Sequence, residues 1–237
     1  MDLKQVNETL NLYIRPQTFP LALKLCRSEN ELPGRVRMPA RDLGYQVALC
    51  QAIGMARRYG WVMAIGKDDQ CCIGGALTMG FIVQSPEGVA FPTPAEKQLE
   101  AGKYSHLLMA PIGTADFEPD VIVIYGNSAQ VYRLVQAASM GAGQGVSAIA
   151  SGAADCGDIV ARTFLSNECQ SILPGGGDRV YGGTQDHEVI FTMPPGKVEA
   201  VLKALEDTHK AGFRYPILTD LRHRPALPPM LEIPKIG

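Results

Sequence analysis

Long apolar runs are missing from this 237-residue chain. Its longest are broken by glycine or charge well before the roughly 18 residues that a spanning helix needs, so no membrane is expected as a partner. A basic surplus is missing too. With 22 Lys and Arg against 24 Asp and Glu, the formal net charge is −2. Nothing in that balance would draw the chain onto a phosphate backbone, so nucleic acid is not expected either. The short cluster Arg222, His223 and Arg224 reads as a solvated tail. The first residues, MDLKQVNETLNLYIRP, carry charges where an export signal needs an apolar stretch. The expected location is therefore cytoplasmic.

The short catalytic motifs are also absent. There is no Walker-type Gly-Lys-Ser/Thr, no G-x-S-x-G elbow and no H-E-x-x-H or H-x-x-x-H metal pattern. Paired C-x-x-C spacings of zinc ribbons and bacterial ferredoxins do not occur. The run Gly141-Ala142-Gly143-Gln144-Gly145 resembles a dinucleotide fingerprint only superficially. It follows an expected helix, whereas the fingerprint follows a strand and opens a helix. It reads as a helix-to-strand link.

What the chain does have is 46% hydrophobic residues and length enough for one large core, expected as a single domain over residues 1–237. Apolar spacing predicts helices over 2–13, 44–59, 129–140, 153–165 and 197–209, and strands over 21–25, 61–65, 107–112, 121–125 and 188–193. A further short strand is expected at 146–149. Arg57-Arg58 before Gly60 fits a helix C-terminus, and Ser128 fits an N-cap. This order predicts an α/β or α+β fold, a mixed sheet with helices packed on it. The segments DVIVIYGNSAQVYRLVQAAS and EVIFTMPPGKVEAVLKALED share one pattern of acidic residue, strand, tight turn and helix. They suggest an internally duplicated β–turn–α unit, with halves near 15–110 and 115–215. The Pro-rich segment 225–237 reads as an extended tail, whose Leu231 and Ile233 could clasp a second copy in a homo-oligomer.

The cysteines carry the chemistry. There are six: Cys26, Cys50, Cys71, Cys72, Cys156 and Cys169. In a reducing compartment they are not expected as disulfides. Twice along the chain a helix cysteine is followed by a loop cysteine and a glycine cluster: Cys50, Cys72 and Gly74-Gly75, then Cys156, Cys169 and Gly175-Gly176-Gly177. A duplicated fold could gather Cys50, Cys72, Cys156 and Cys169, and four soft thiolates suit an iron–sulfur cluster or zinc. Cys156 alone, at a helix start that would lower its pKa, could instead be the nucleophile of a thiol enzyme. In a third reading the cysteines are core residues of a metal-free module that binds a small molecule or protein. Its glycine-rich stretches near 74, 143 and 176 would then be the binding loops. The four histidines are scattered. Only His187, between Asp186 and Glu188, has functional company.

Several segments resemble the DUF169 family: Pro20-Leu21-Ala22-Leu23-Lys24, Cys50-Gln51-Ala52, Cys72-Ile73-Gly74-Gly75-Ala76 through Gly80, Ser151-Gly152 through Cys156, and Glu168-Cys169 with the Gly-Arg turn after it. This is a group of largely uncharacterised proteins of archaea and anaerobic bacteria. The resemblance implies that Cys50, Cys72, Cys156 and Cys169 are motif positions while Cys26 and Cys71 are incidental. With it, a [4Fe-4S] cluster is preferred to zinc. Four cysteine ligands would suit electron transfer with a redox partner, and three would leave an iron open for a small-molecule substrate. Arg179 and His187 are the expected supporting groups. The PGGGDR turn is longer than the spacing such a family would give Arg179.

Overall fold

The computed structural model describes residues 1–83, 93–143, 145–148, 152–218 and 227–232. The basic cluster at 222–224, Ser151, Ile233 and most of the Pro-rich tail lie outside the described residues. Within them the tail contributes one 3-10 turn, Pro229–Leu231.

The chain opens with α1 (Leu3–Tyr13), whose first turn is capped by the Asp2 side chain accepting from the Lys4 and Gln5 N–H groups. It continues through β1 (Leu21–Cys26), α2 (Leu49–Tyr59), β2 (Met63–Gly66), α3 (Ile73–Thr78), β3 (His106–Pro111), β4 (Val121–Asn127) and α4 (Ser128–Ala142). Next come α5 (Asp155–Gly157), a π-helical turn (Asp158–Arg162) and α6 (Thr163–Ser166), followed by β5 (Gln170–Ile172), α7 (Gly176–Val180), β6 (Glu188–Met193) and α8 (Pro195–Lys210). Six strands form one sheet in the order β2-β3-β1-β4-β6-β5, and every pairing between them is antiparallel. Parallel contact among the described residues is confined to isolated bridges such as Val47 with Gln70. The expected α/β mixture of a sheet with packed helices is present, in its α+β form.

Helices cover both faces of this sheet, which explains why its central strand is almost continuously apolar. On β1, Leu21, Leu23 and Leu25 face a cluster containing Leu49, Ala52, Ile53 and Ala56 of α2, while Ala22 faces the other way. The α2 residues recur at helical spacing and form its buried stripe. The opposite cluster contains Val6, Leu10 and Ile14 from the α1 region, with Leu134 and Ala137 of α4 and Val198, Val201 and Leu205 of α8.

The two similar segments become neighbours: β4 pairs with β6, and α4 packs on α8. Gly141 permits that packing, since a Cβ there would stand 2.7 Å from the Ala200 carbonyl oxygen. The strand order is symmetric about the β1–β4 pair, with the first strand of each half innermost and the second outermost. The helices do not follow this symmetry, because α2 and α4 lie on opposite faces.

Local differences from the sequence expectation are small and have physical causes. The α2 helix starts at Leu49 rather than 44, because Val47 is held in extended backbone by bridging to Gln70. Its C-terminus is the expected one, with Gly60 left-handed at φ 71°. The N-cap of α4 is Asn127, one residue before Ser128, because Asn127 and Gln130 exchange side-chain bonds in a capping box. Of the strand expected at 146–149, the described residues 146–148 form a single bridge, from Ser147 to Gln170, and Ile149 lies outside the described residues.

One buried charge cluster joins α2 to the second half of the sheet. Arg57 is fully buried and donates to both Glu188 carboxylate oxygens, at 2.7 and 3.1 Å. It also donates to Thr184 Oγ1 at 3.2 Å and lies 3.9 Å over the Tyr125 ring. Burial pushes the Glu188 carboxyl up, but the bonds from Arg57 and the Gln185 N–H outweigh it and hold it below its ordinary value. That contribution is therefore present above the unfolded carboxyl pKa and is lost as the pH falls. Arg57→Ala leaves the buried Glu188 carboxylate with only Arg58, at 3.3 Å, and the Gln185 N–H as partners, and should cost about 3 kcal/mol in denaturant unfolding at pH 7. The loss should shrink in acid.

Candidate functional site

Three of the four expected cysteines are brought to one place, and each comes from the start of a different helix. Cys50 is the second residue of α2, Cys72 is the N-cap of α3, and Cys156 is the second residue of α5. They are close enough to act on one another electrostatically: Cys72 raises the Cys50 pKa, and Cys50 and Cys72 both raise that of Cys156. Cys50 and Cys156 are buried, while Cys72 is half-buried and opens the group toward the surface. The Cys156 Sγ lies 3.9 Å from the Thr78 hydroxyl at the end of α3. Gly157 lets those two helices approach, since a Cβ there would meet Thr78 Cγ2 at 2.6 Å.

Cys169 does not join them. It precedes β5 and belongs to the apolar cluster on the other face of the sheet, beside Ala138 of α4 and Val201 of α8. Burial, followed by the Glu168 charge, raises its pKa to about 11. The four cysteines expected to meet are thus split between two faces, because the chain between α6 and β5 carries Cys169 away from the α2–α3–α5 face. Cys26, the last residue of β1, is buried in a separate small cluster, and Cys71 is exposed.

The helix start does not activate Cys156 as the sequence suggested. Burial pushes its thiol well above the ordinary value, and the nearby Asp178 carboxyl adds to this. Cys50 is pushed up to about 12 by the same two causes in the same order. Desolvation outweighs the dipole of a short helix. In the chain alone these are neutral thiols.

The polar groups around them were not legible in the sequence. Asp178 in α7 is buried at 2% exposure, and its Oδ1 has no hydrogen-bond partner. Burial, then the charge of Asp155, raises its pKa to about 7 against the pull of Arg57 and the Gly175 N–H. Asp155 touches the Gly175 backbone so closely that only glycine fits there. Gly177 of α7 lies beside Cys50 of α2, at a distance where a Cβ would make ordinary contact with the Sγ, 3.5 Å away. Gln70, 7% exposed, has neither its amide oxygen nor its amide nitrogen bonded. Its amide lies against Gly75 of α3, where a Cβ would meet Gln70 Oε1 and Leu49 Cβ each at 2.9 Å. Buried amides and carboxyls are rarely left without a hydrogen-bond partner, whether protein, water or ligand.

Of the two groups expected to assist, Arg179 is engaged elsewhere and His187 faces solvent. Arg179 donates to the Gln185 carbonyl at 3.1 Å and pairs with Asp186 at 3.5 Å, and His187 is exposed on the turn before β6. Among the described residues, no three His, Cys, Asp or Glu side chains are arranged to hold a single metal ion. A single zinc draws its thiolates in to Zn–S bonds of about 2.3 Å, whereas a cluster of several irons takes one thiolate per iron and so spaces them more widely.

Two outcomes follow for the unloaded chain. Iodoacetamide at pH 8 should modify Cys71 first and Cys50 and Cys156 last, as read by peptide mass spectrometry. Asp178 binds a proton in the folded state up to about pH 7, whereas in the unfolded chain it does so only to about pH 3.9. The folded state therefore loses stability as the pH rises between those values. Asp178→Asn should stabilise the chain above pH 7, and its advantage should vanish below about pH 4.

No solved structure matches this chain. It is 28% identical over 228 residues to the uncharacterised protein MJ0308 of Methanocaldococcus jannaschii, an alignment covering 87% of this chain and 96% of that protein. The DUF169 profile, described as an uncharacterised ArCR family, matches residues 9–204, a span that includes the three gathered cysteines, Gln70 and Asp178. The chain belongs to the DUF169 family.

Proposed function

We propose that this protein carries an iron–sulfur cluster on Cys50, Cys72 and Cys156, with one iron left without a cysteine and turned toward a small polar substrate. The observation that carries this reading is the meeting of three thiols from three helix starts beside two buried, unpartnered polar side chains, Gln70 and Asp178. An open iron supplies a Lewis acid that can polarise a bound oxygen group. The protein's own contribution is position. Gln70 offers one donor and one acceptor in fixed register, and Asp178 offers a carboxyl that can hold a proton near neutral pH. Three ligands rather than four favour substrate activation over simple electron transfer. A redox partner is accordingly a weaker reading than a small-molecule substrate.

The same two unpartnered side chains would also suit a metal-free small-molecule site, in which the thiols are only its walls. One experiment separates the two. Protein made anaerobically with iron and sulfide supplied should be brown and contain stoichiometric iron and sulfide. Cys50→Ala, Cys72→Ala and Cys156→Ala should each lose most of the visible absorption, while Cys169→Ala should keep it. A colourless, folded wild type with no iron would leave the metal-free site. Equal bleaching by Cys169→Ala would overturn the three-cysteine set.

A further inference from the structure

A second set of unsatisfied groups lies on the opposite face, where the C-terminal ends of α1 and α8 meet the first turns of α4. Arg133 of α4 is 1% exposed. Its guanidinium donates to Gln136 Oε1 and, at 2.8 Å, to Thr208 Oγ1, while its Nε has no partner. No carboxylate pairs with it among the described residues. Buried arginines are normally paired, because removing a full charge from water without a counter-charge is costly. The other buried cations among the described residues, Arg57, Lys97 and Arg162, follow that rule through Glu188 and Asp158.

The neighbours of Arg133 add positive charge and no negative charge. His209, next to Thr208, stacks 4.8 Å from the Tyr13 ring, and its Nδ1 is buried without a partner. Arg214 donates from Nε to the His209 carbonyl at 3.4 Å. Arg15, an exposed residue just past α1, accepts on its carbonyl from Gln130 at 2.7 Å. After burial, the charges of Arg214, Arg133 and Arg15 are what hold the His209 pKa down. The acids on this part of α8 are committed to lysines, Asp207 to Lys203 at 2.8 Å and Glu206 to Lys210 at 2.5 Å.

We propose that Arg133, His209, Arg214 and Arg15 form a binding site for an oxyanion, the phosphate or carboxylate group of a small molecule. Arg133 supplies the buried charge and its idle Nε–H, His209 supplies a ring nitrogen, and the exposed Arg15 and Arg214 form the mouth. This site is independent of the cysteine site, since its residues lie on α4, α8 and the end of α1.

The test is isothermal titration of the full-length chain with inorganic phosphate and, separately, with succinate, against chloride at matched ionic strength. Saturable binding of one or both is expected, and the stronger identifies the group. Arg133→Met and Arg214→Ala should each weaken it by at least about tenfold, the loss of a charge-assisted hydrogen bond. Arg133→Met should also leave the ligand-free chain as stable as the wild type or more so, because it removes an unpaired buried charge. Should Arg133→Met not fold, the double change of Arg15 and Arg214 to Ala carries the test, together with the His209 titration by NMR, whose midpoint must rise when the anion is bound. No saturable binding of either anion would overturn the site. So would unchanged affinity in these variants, or an unmoved His209 midpoint.

Discussion

The contact on which the rest of the structure depends is the buried pair of Arg57 and Glu188. Arg57 ends α2 and Glu188 begins β6, so the pair joins elements 131 residues apart in sequence. The guanidinium lies under Tyr125 of β4, and the backbone carbonyl of Arg57 accepts from Phe19 before β1. A single side chain thereby fixes α2 against the second half of the sheet. Cys50 lies two helical turns earlier on the same helix, so its position beside α7 is set by this anchor. A charge pair removed from water is a poor source of net stability. Its directional bonds nevertheless specify where α2 ends, which apolar packing alone would leave looser.

Around that anchor the fold separates two kinds of surface. The face carrying α2, α3, α5 and α7 holds three thiols and two unpartnered polar side chains. The face carrying α1, α4 and α8 holds an apolar core with a cationic group at one end. Cys169 falls on the second face, and this explains why its environment resembles core packing rather than a ligand set. The glycines at 75, 157 and 175 serve the first face by letting short helices and loops approach to contact distance. The sequence reading had assigned such glycines to the approach of a ligand. Here they first admit other parts of the same chain.

Much of the architecture was legible from periodicity. The stripes of α1, α2, α4 and α8 and the apolar runs of β1, β3, β4 and β6 are long enough to show their spacing. The shorter elements were not: α7 hides in a glycine-rich stretch, and β5 has three residues. The cysteine pattern included the three thiols that share a face, although only Cys156 read as lying at a helix start; Cys50 read as mid-helix and Cys72 as a loop residue. It also suggested a fourth, since sequence order does not reveal which face of a sheet a loop will cover. Gln70 and Asp178 left no trace, because what distinguishes them is a missing partner, a property of three dimensions only. Arg57 was visible, but as a helix-end cation and not as a buried one.

The π-helical turn between α5 and α6 gives the cysteine site a rotational setting. The far end of that helix is pinned to the sheet by the 2.6 Å bond between the Thr163 and Thr192 hydroxyls. Cys156 sits at the near end, and the turn at Asp158–Arg162 lies between them. A π turn holds one more residue than the α-helical turn it replaces. Each residue of an α-helix advances about 100° around the axis. Without the extra residue, an anchored Thr163 would swing Cys156 by that angle, away from Cys50 and Cys72. The register of one irregular turn thus decides whether the third thiol faces the other two.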